Sequence, residues 1–397
     1  MKIAIISPGP FSVPPVKGSS VEHDIDEVTK MMDPEHRVTI YTRTCATYPK
    51  STVEENREFI RFPYQGPGPY LRRIIRHIRK HKPDVIMVEN RPTYVLALKN
   101  RFPKIPVFVN MHSHVFASKG IISKEKMKRV VRLASGFFTN SEYLRRHFIK
   151  TCKIPPHKIH AVHLGVDVSP YQVAKIHYSI RKLRKQIGLS PDDRVLFYAG
   201  RLMRAKGVHV LLKAFRAVSE QDPLARLVIV GGTGYGSNRL TPYVRELKKL
   251  AKPLGDKVKF VNFVPSAKMP LYYQLGDVVA TPSVWQEAFC RVNLEAMASG
   301  KPVITTPRGG IGEVVAHQSS GFLLPPKAWK TELPVVWNLL WSIPGIRAEM
   351  GRQALLRAKQ FSWYATAQGY LNVFESALGK RTGEEASQEK QLLRKTG

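Results

Sequence analysis

The sequence has few cysteines, few acidic residues and no long apolar runs. Only three of its 397 residues are cysteines, Cys45, Cys152 and Cys290, and they lie far apart. Such spacing offers neither a disulfide framework nor a cysteine-based metal site. We therefore expect reduced thiols and a cytoplasmic setting.

Long apolar segments are also missing. No run approaches the roughly 18 residues that a membrane span needs. The apolar start, Ile3–Ser7, ends at Pro8 and is too short for the core of a signal peptide. We expect an unsecreted chain without a membrane span, a prediction that leaves attachment to a membrane surface open.

Acidic residues are scarce relative to basic ones. Lysine and arginine number 63 against 30 for aspartate and glutamate, so the formal net charge is +33. Such an excess favours anionic partners, namely a membrane or polymer surface. Basic stretches at 71–82, 119–132 and 145–158 fit docking on such a surface, but they also fit solvated helix faces. No aromatic-interleaved basic motif is present, so nucleic acid is disfavoured as a partner.

Strand and helix patterns alternate along the chain in two successive blocks. Apolar runs such as VIMV (85–88) and VFVNM (107–111) suit strands buried on both faces of a parallel sheet. The alternation predicts an α/β fold of two Rossmann-like, doubly wound domains that face each other across a cleft. The predicted bounds are residues 1–166 and 167–361, with a linker near 167–177, a closing helix at 362–378 and a disordered tail at 379–397.

Two carboxylates in the second block stand around a short apolar helix. Glu287 lies in the loop after Pro282-Ser283, and Glu295 lies on the helix that follows. Backbone N–H groups at the start of this helix suit a diphosphate, and carboxylates suit sugar hydroxyls. The pattern predicts a nucleotide-sugar site. The plainer alternative is a pair of ordinary helix-surface glutamates.

Two cations follow a predicted strand in AGRLMRAKG (199–207). Strand ends in doubly wound sheets point into the ligand crevice, so Arg201 and Lys206 could both reach one diphosphate. Taken alone, the motif is explained more simply by two ordinary surface cations. The glycine-rich loop at 231–236 resembles a phosphate loop, and it is equally consistent with a tight turn.

The first block offers a glycine loop and two histidines. Gly18 lies between the first strand and the first helix, where backbone can approach an anion. His112 and His114 follow the strand that ends at Met111, and His112 could hydrogen-bond a sugar hydroxyl. A metal would need further ligands that the sequence does not show, so we expect neither a metal nor another cofactor.

These motifs carry a family resemblance. The segments AGRLMRAKG (199–207) and TPSVWQEAFCRVNLEAMASGKPVITTPRGGIGEVV (281–315) resemble the retaining glycosyltransferases of family four, which have the GT-B fold. LGVDVSPY (164–171) resembles that family's Asn-Gly-Val-Asp segment at the domain boundary. The likeness covers nearly the whole chain, and it implies that the helix at 362–378 crosses back onto the first domain.

The resemblance implies a role for each candidate residue. Arg201 and Lys206 would neutralise the diphosphate, Glu287 would contact the donor sugar, and Glu295 would bind the ribose. The implied catalytic residues are His112, Glu287, Arg201 and Lys206. The implied donor-binding residues are Gly18, Arg201, Lys206, Glu287, Ala288, Phe289, Cys290, Arg291 and Glu295. Cys290 stands where the family usually has glycine, and Ser19, Leu164 and Val264-Pro265 also depart from its pattern.

We therefore expect a retaining hexosyltransferase that uses a nucleoside-diphosphate (NDP) sugar and needs no divalent metal. The acceptor, whether glycan, lipid or protein, is not identified by the sequence. An alternative is a non-catalytic scaffold on an inherited GT-B fold, which the net charge and Cys290 motivate. A sugar-nucleotide epimerase or a phosphorylase of the same fold is a third reading.

Overall fold

The computed structural model describes residues 1–16, 18–173, 177–234 and 236–379. They form two compact units. The first unit holds Met1–Gly165 and the chain from Trp363 onward, and the second holds Val166–Ser362. The tail predicted to be disordered lies, from residue 380 onward, outside the described residues. Within those residues, no helix combines the length and apolar character that crossing a bilayer requires.

The first unit is built on an eight-stranded sheet in the order β3-β4-β2-β1-β5-β6-β7-β8. All neighbours pair in parallel except β3 with β4, which are antiparallel. The strands are β1 Lys2–Ile6, β2 Arg37–Arg43, β3 Ser51–Glu54, β4 Arg57–Phe62, β5 Val85–Glu89, β6 Val107–Met111, β7 Gly136–Thr139 and β8 Ile159–Ala161. Every residue of β5 and β6 is buried, as continuous apolar runs in a covered parallel sheet should be.

Helices cover both faces of this sheet. They are α1 Ser20–Lys30, α2 Pro67–His81, α3 Tyr94–Arg101, α4 Lys124–Leu133, α5 Glu142–Cys152 and α15 Trp363–Ala377. The strand order reverses at β1, which pairs with β2 on one side and β5 on the other. Right-handed crossovers therefore place α2 to α5 on one face and α1 on the opposite face, where α1 packs against α15. This switch point is where ligands bind in open α/β sheets.

The second unit has a six-stranded, fully parallel sheet in the order β11-β10-β9-β12-β13-β14. The strands are β9 Arg194–Ala199, β10 Ala225–Val230, β11 Val258–Val261, β12 Val278–Thr281, β13 Val303–Thr305 and β14 Gly321–Leu323. The helices are α6 Ser169–Val173, α7 His177–Gln186, α8 Val208–Gln221, α9 Pro242–Ala251, α10 Met269–Tyr273, α11 Arg291–Ala298, α12 Ile311–Val314, α13 Trp329–Ser342 and α14 Ile346–Ala358. Leu196, Phe215, Trp329 and Trp337 belong to its buried core.

The predicted doubly wound α/β architecture is confirmed in both units. Two local elements differ from the sequence analysis. The antiparallel edge strand β3 was not anticipated, because its residues are short of apolar side chains and largely exposed. The stretch 167–177, interpreted as a linker, contains α6, which packs on α10 and α11. Within it, the Gln172 amide donates to the carbonyl of Ala298 at 2.7 Å, while residues 174–176 lie outside the description.

Candidate functional site

The loop after β9 carries both predicted diphosphate-binding cations. Arg201 is exposed, and its carbonyl accepts a hydrogen bond from the Tyr198 hydroxyl at 3.2 Å. A single 3-10 turn, Arg204–Lys206, then ends at Gly207, which has a φ of +73°. This turn directs Lys206 toward the loop after β12.

Gly207 is required for that approach. A Cβ at this position would lie 1.8 Å from the carbonyl oxygen of Pro282, and the backbone N–H of Val284 bonds to the carbonyl of Ala205 at 3.0 Å. Only glycine combines a left-handed backbone with so close a contact. The two loops therefore meet through backbone, and this contact brings Lys206 to Glu287.

The substitution Gly207→Ala is expected to lower the free energy of unfolding by about 2 to 5 kcal/mol, from left-handed strain and overpacking against Pro282. Urea denaturation measures the loss. Gly345→Ala is the matched control, because Gly345 also has a positive φ, +78°, but a Cβ there meets no atom within 4 Å. We expect it to cost only about 1 kcal/mol. Equal losses in the two variants would contradict the close-approach argument.

Glu287 is held by an ion pair and a hydroxyl. Lys206 Nζ donates to its Oε1 at 2.7 Å, and Ser283 Oγ donates to the same oxygen at 2.6 Å. Among the described residues no hydrogen bond falls on Oε2, so that oxygen can accept from a ligand hydroxyl. The backbone is fixed by Gly310, whose N–H bonds to the Glu287 carbonyl at 2.9 Å, and by Gly309, where a Cβ would lie 1.9 Å from the same oxygen.

The electrostatics of the pair keep Lys206 charged. Burial acts to lower the pKa of Lys206, but the Glu287 carboxylate outweighs it, and the pKa is raised above its ordinary value. Arg201 lies close enough for its charge to oppose this rise. An ammonium group has three N–H donors, of which Glu287 takes one. The remaining donors and the exposed Arg201 can therefore bind an anion together.

Cys290 marks the start of α11. It has a φ of +66°, a left-handed conformation that side chains other than glycine seldom adopt. Ala288 is partly exposed beside it, whereas the Phe289 ring is buried against Phe361 with ring centroids 6.0 Å apart. Only the backbone of Phe289 is therefore available to contact an NDP-sugar. Burial, reinforced by the Glu287 carboxylate, raises the pKa of the Cys290 thiol to about 12.

The raised pKa predicts an unreactive thiol. At pH 8 a pKa of about 12 leaves roughly one thiolate in 10,000, so alkylation of Cys290 should be at least about 100-fold slower than that of Cys45. For Cys45, burial acts to raise the pKa, but hydrogen bonds led by that of Ser12 overcome it and lower the pKa. Timed alkylation read by peptide mass spectrometry gives both rates. Comparable rates would show that the surroundings of Cys290 do not keep its thiol protonated.

Glu295 lies one turn into α11. Its Oε2 accepts from the Tyr273 hydroxyl at 2.8 Å, and its Oε1 lies 3.5 Å from Nη2 of Arg291. Because the contact with Arg291 is long, Oε1 can also accept a hydrogen bond from a hydroxyl group. Burial, together with the Glu295 charge, raises the pKa of Tyr273 well above its ordinary value, so the phenol stays protonated as a donor.

A buried polar network fixes the start of α11 on the sheet. The Thr281 hydroxyl lies 2.5 Å from Asn293 Oδ1 and 2.7 Å from the Thr305 hydroxyl. These residues belong to β12, α11 and β13, so one network joins the three elements. The backbone N–H groups at 290–292 are thereby held in place beside Lys206 and Glu287.

The first unit places Gly18 and His112 at its sheet switch point. Gly18 has a φ of +81° and precedes Ser19, the N-cap residue of α1. The Ser19 hydroxyl donates to the Glu22 carboxylate. Burial raises the pKa of Glu22, although Ser19 opposes the rise.

Three acidic or amide side chains hold His112. Its Nε2 lies 2.7 Å from Glu89 Oε2, its Nδ1 lies 3.5 Å from Asp24 Oδ2, and its backbone N–H donates to Asn90 Oδ1 at 2.9 Å. Burial acts to lower the pKa of His112, but the bond to Glu89 and the charges of Glu89 and Asp24 raise it overall. The ring borders a small cavity with room for about one water molecule or one hydroxyl group.

The structure therefore groups the predicted site residues in two places. The second unit gathers Arg201, Lys206, Glu287, Ala288, Phe289, Cys290, Arg291 and Glu295, and the first unit holds Gly18 and His112. His114 lies instead beside the His147 ring, with centroids 5.5 Å apart. Gly231 allows the backbone of its loop to pass close to Gly200, since a Cβ at Gly231 would lie 1.9 Å from the Gly200 carbonyl oxygen. Tyr235 of the same loop is outside the described residues.

Sequence reasoning missed four positioning residues: Ser283, Tyr273, Asp24 and Glu89. A signal for Glu89 was present, because it ends the apolar strand VIMVE next to the strand that leads to His112. Ser283 was noted only as part of a loop. Nothing local marked Tyr273 or Asp24, whose roles depend on tertiary packing.

Two protein-family models match the chain. The family model described as Glycosyl transferases group 1 matches residues 179–334, and the model described as Glycosyltransferase Family 4 matches residues 22–170. The putative glycosyltransferase YtcC of Bacillus subtilis (strain 168) is 32% identical over 82% of this chain and 79% of its own length. Spore coat protein SA of the same organism is 29% identical over 94% of this chain and 99% of its own length.

Solved structures share the fold. Anabaena Alr3699/HepE in complex with UDP-glucose superposes with a TM-score of 0.74 and 24% identity, covering 95% of this chain and all of the other. Two doubly wound units with these matches define a glycosyltransferase of the GT-B fold. The chain belongs to glycosyltransferase family 4.

Proposed function

We propose that this protein is a retaining hexosyltransferase that takes a sugar from an NDP-sugar and passes it to an acceptor hydroxyl. The observation that carries the proposal is the 2.7 Å pair of Lys206 and Glu287, with Arg201 and the start of α11 beside it. The arrangement sets two cations that can bind a diphosphate beside a carboxylate oxygen that can accept a hydrogen bond from a sugar hydroxyl. UDP-glucose, bound by the structural relative HepE, is the first donor to test, and UDP, which the same protein binds, is the product to test beside it.

The proposed mechanism begins with the bond between the sugar and the diphosphate. As this bond breaks, Arg201, Lys206 and the N–H groups at 290–292 stabilise the charge on the leaving diphosphate. Glu287 orients the sugar through a hydroxyl, Glu295 accepts from the ribose, and in the first unit Gly18 and His112 contact the phosphates and the sugar. The acceptor hydroxyl then attacks the same face of the sugar and passes its proton to the departing diphosphate, so the new glycosidic bond keeps the donor's configuration.

We infer that the reaction needs no divalent metal. Two cations supply the charge that a metal would otherwise provide, and the carboxylates of the site are already engaged by Lys206 and Tyr273. Within the described ranges, the one cluster with metal-ligand spacing is Glu35, His36 and Glu375, and none of these is a candidate site residue. Turnover should therefore be unchanged by a chelator.

The acceptor is a glycan, a lipid or a protein. Similarity to spore coat protein SA favours a place in the formation of a spore coat or a cell-surface glycan. The net charge of +33 adds an anionic membrane or polymer surface as a partner. We place the protein in the cytoplasm, at the periphery of a membrane or in the coat itself.

The same similarity supports a second candidate, a non-catalytic coat or scaffold protein on an inherited fold. Cys290 favours it, because a side chain replaces the usual glycine in the donor site. A panel of NDP-sugars tested by thermal shift and by release of free NDP separates the two. A true donor at 100 times its dissociation constant adds about 2.7 kcal/mol of stability.

The transferase proposal predicts that one member of the panel is bound and consumed, that NMR of the product shows the donor's anomeric configuration, and that Glu287→Ala abolishes turnover. Binding without turnover supports the scaffold. Failure of every NDP-sugar to stabilise the folded wild-type protein would reject both the donor site and the enzyme.

A further inference from the structure

One face of the first unit is covered by four helices, two of which, α2 and α4, have strongly basic outer surfaces. Helix α3 packs against α2 and α4, and α4 packs against α5, so the four lie side by side. On α2 the exposed cations are Arg72, Arg76, Arg79 and Lys80, and on α4 they are Lys124, Lys126, Lys128 and Arg129. We call these eight side chains the basic face.

The basic face is not neutralised within the protein. In the part of the chain that the structure describes, none of its eight cations is in an ion pair. Between residues 67 and 82 there is no acidic residue at all, and α4 contains a single one, Glu125. Mutual repulsion among so many like charges lowers stability, and an anionic partner would offset this cost.

The apolar stripes of these helices are already used by the core. Leu71, Ile74 and Ile78 of α2 and Met127 and Val130 of α4 are buried. The helices therefore cannot roll over to insert their apolar sides into a partner. Attraction to this face has to be electrostatic, which makes it reversible and sensitive to salt.

Two exposed aliphatic side chains, which we call the apolar tip, lie just before the basic residues of α4 in the chain. Ile121, 57% exposed, and Val115, 38% exposed, lie in the connection from β6 to α4. The connection is held in place because its 3-10 turn packs on α5 and because Ser123 caps α4 by accepting from the N–H of Lys126. Lys119 lies between the two aliphatic residues, and Lys124 follows them.

We propose that the basic face and its apolar tip dock this protein on a lipid bilayer that contains anionic headgroups. Lysines and arginines attract anionic lipids near a bilayer surface, and exposed aliphatic side chains flanked by cations enter the headgroup region. A polyanion such as nucleic acid would satisfy the charges but would give Ile121 nothing apolar to contact. The tip is therefore the observation that favours the bilayer.

The proposal extends the proposed function by naming the partner surface. Its test uses no sugar donor, so failure of bilayer binding and failure of transferase activity are read separately. Cosedimentation is measured with vesicles of phosphatidylcholine alone and with vesicles that also contain phosphatidylglycerol. The wild-type protein should bind only the second kind, and should be released between about 0.1 M and about 1 M salt as the Debye length falls from about 10 Å to about 3 Å.

Matched variants locate the surface. Replacement of Arg72, Arg76, Arg79 and Lys80 by glutamine should weaken binding by at least about tenfold. Replacement of Lys213, Lys248, Lys249 and Lys252, four exposed lysines of the second unit, removes the same charge and should leave binding within about twofold. If the first variant does not fold, the same change at Lys124, Lys126, Lys128 and Arg129 replaces it.

Ile121→Asn separates a bilayer from a soluble polyanion. It should weaken vesicle binding and leave binding to heparin unchanged. Equal effects of the two charge variants, binding to neutral vesicles, or vesicle binding that does not depend on Ile121 would overturn the proposal.

Discussion

Replacement of Lys206 by methionine is expected to lower kcat for sugar transfer by about 100-fold to 1,000-fold. The variant loses one of the cations that face the charge developing on the diphosphate, and such contacts are worth roughly this much in comparable sites. It also leaves the Glu287 carboxylate, 7% exposed at its side chain, with Ser283 as its remaining partner. Steady-state release of NDP measures the effect.

Arg204→Met is the matched control for this prediction. Arg204 lies in the same 3-10 turn, but it is well exposed and pairs with Glu246 instead of Glu287. Exposed ion pairs contribute little, so we expect kcat within about twofold of the wild type. Equal losses in the two variants would indicate damage to the loop and not the removal of a diphosphate contact.

Replacement of Glu89 by glutamine is expected to lower the pKa of His112 and to remove stability at low pH. In the wild-type protein the pKa of His112 is raised above 6.5 because Glu89 and Asp24 overcome the effect of burial. A raised pKa in the folded state stabilises the fold fully below about pH 6.5, and this contribution is lost as pH rises through the folded pKa. The variant should therefore lose about 2 kcal/mol at pH 5.5 and less at pH 9.

Urea denaturation at the two pH values and NMR titration of the His112 ring test this prediction. Glu125→Gln is the control, because this substitution removes the same charge from an exposed position on α4. An unchanged His112 titration in Glu89→Gln would disprove the positioning role of Glu89.

The two sheets could be predicted from the sequence because most of their strands are continuous apolar runs. Burial of all five residues in β5 and in β6 means that packing and local pattern favour the same structure. Strand β3 was missed for the opposite reason, because at a sheet edge pairing depends on β4 and not on its own apolar content. The helix α6 was missed because it is short and is held by contacts with distant segments.

The candidate site was predictable where it follows from strand ends. Arg201 lies just beyond the carboxyl end of β9, and Glu287 follows β12 by a short loop. Glu89 at the end of β5 carried the same signal but was missed. Distances between loops were not predictable, because the approach of Lys206 to Glu287 depends on a contact between Gly207 and Pro282. The left-handed backbone of Cys290 was likewise invisible, since cysteine carries no preference for it.

Above all, we propose that Arg201 and Lys206 of the second unit hold the diphosphate of a nucleotide-sugar. A crystal structure of the protein with the NDP-sugar selected by the panel tests it directly. We expect diphosphate oxygens about 2.7 to 3.2 Å from the Arg201 guanidinium and from Lys206 Nζ, and a sugar hydroxyl within hydrogen-bond distance of Glu287. A diphosphate bound elsewhere, with Lys206 still paired only to Glu287, would contradict it.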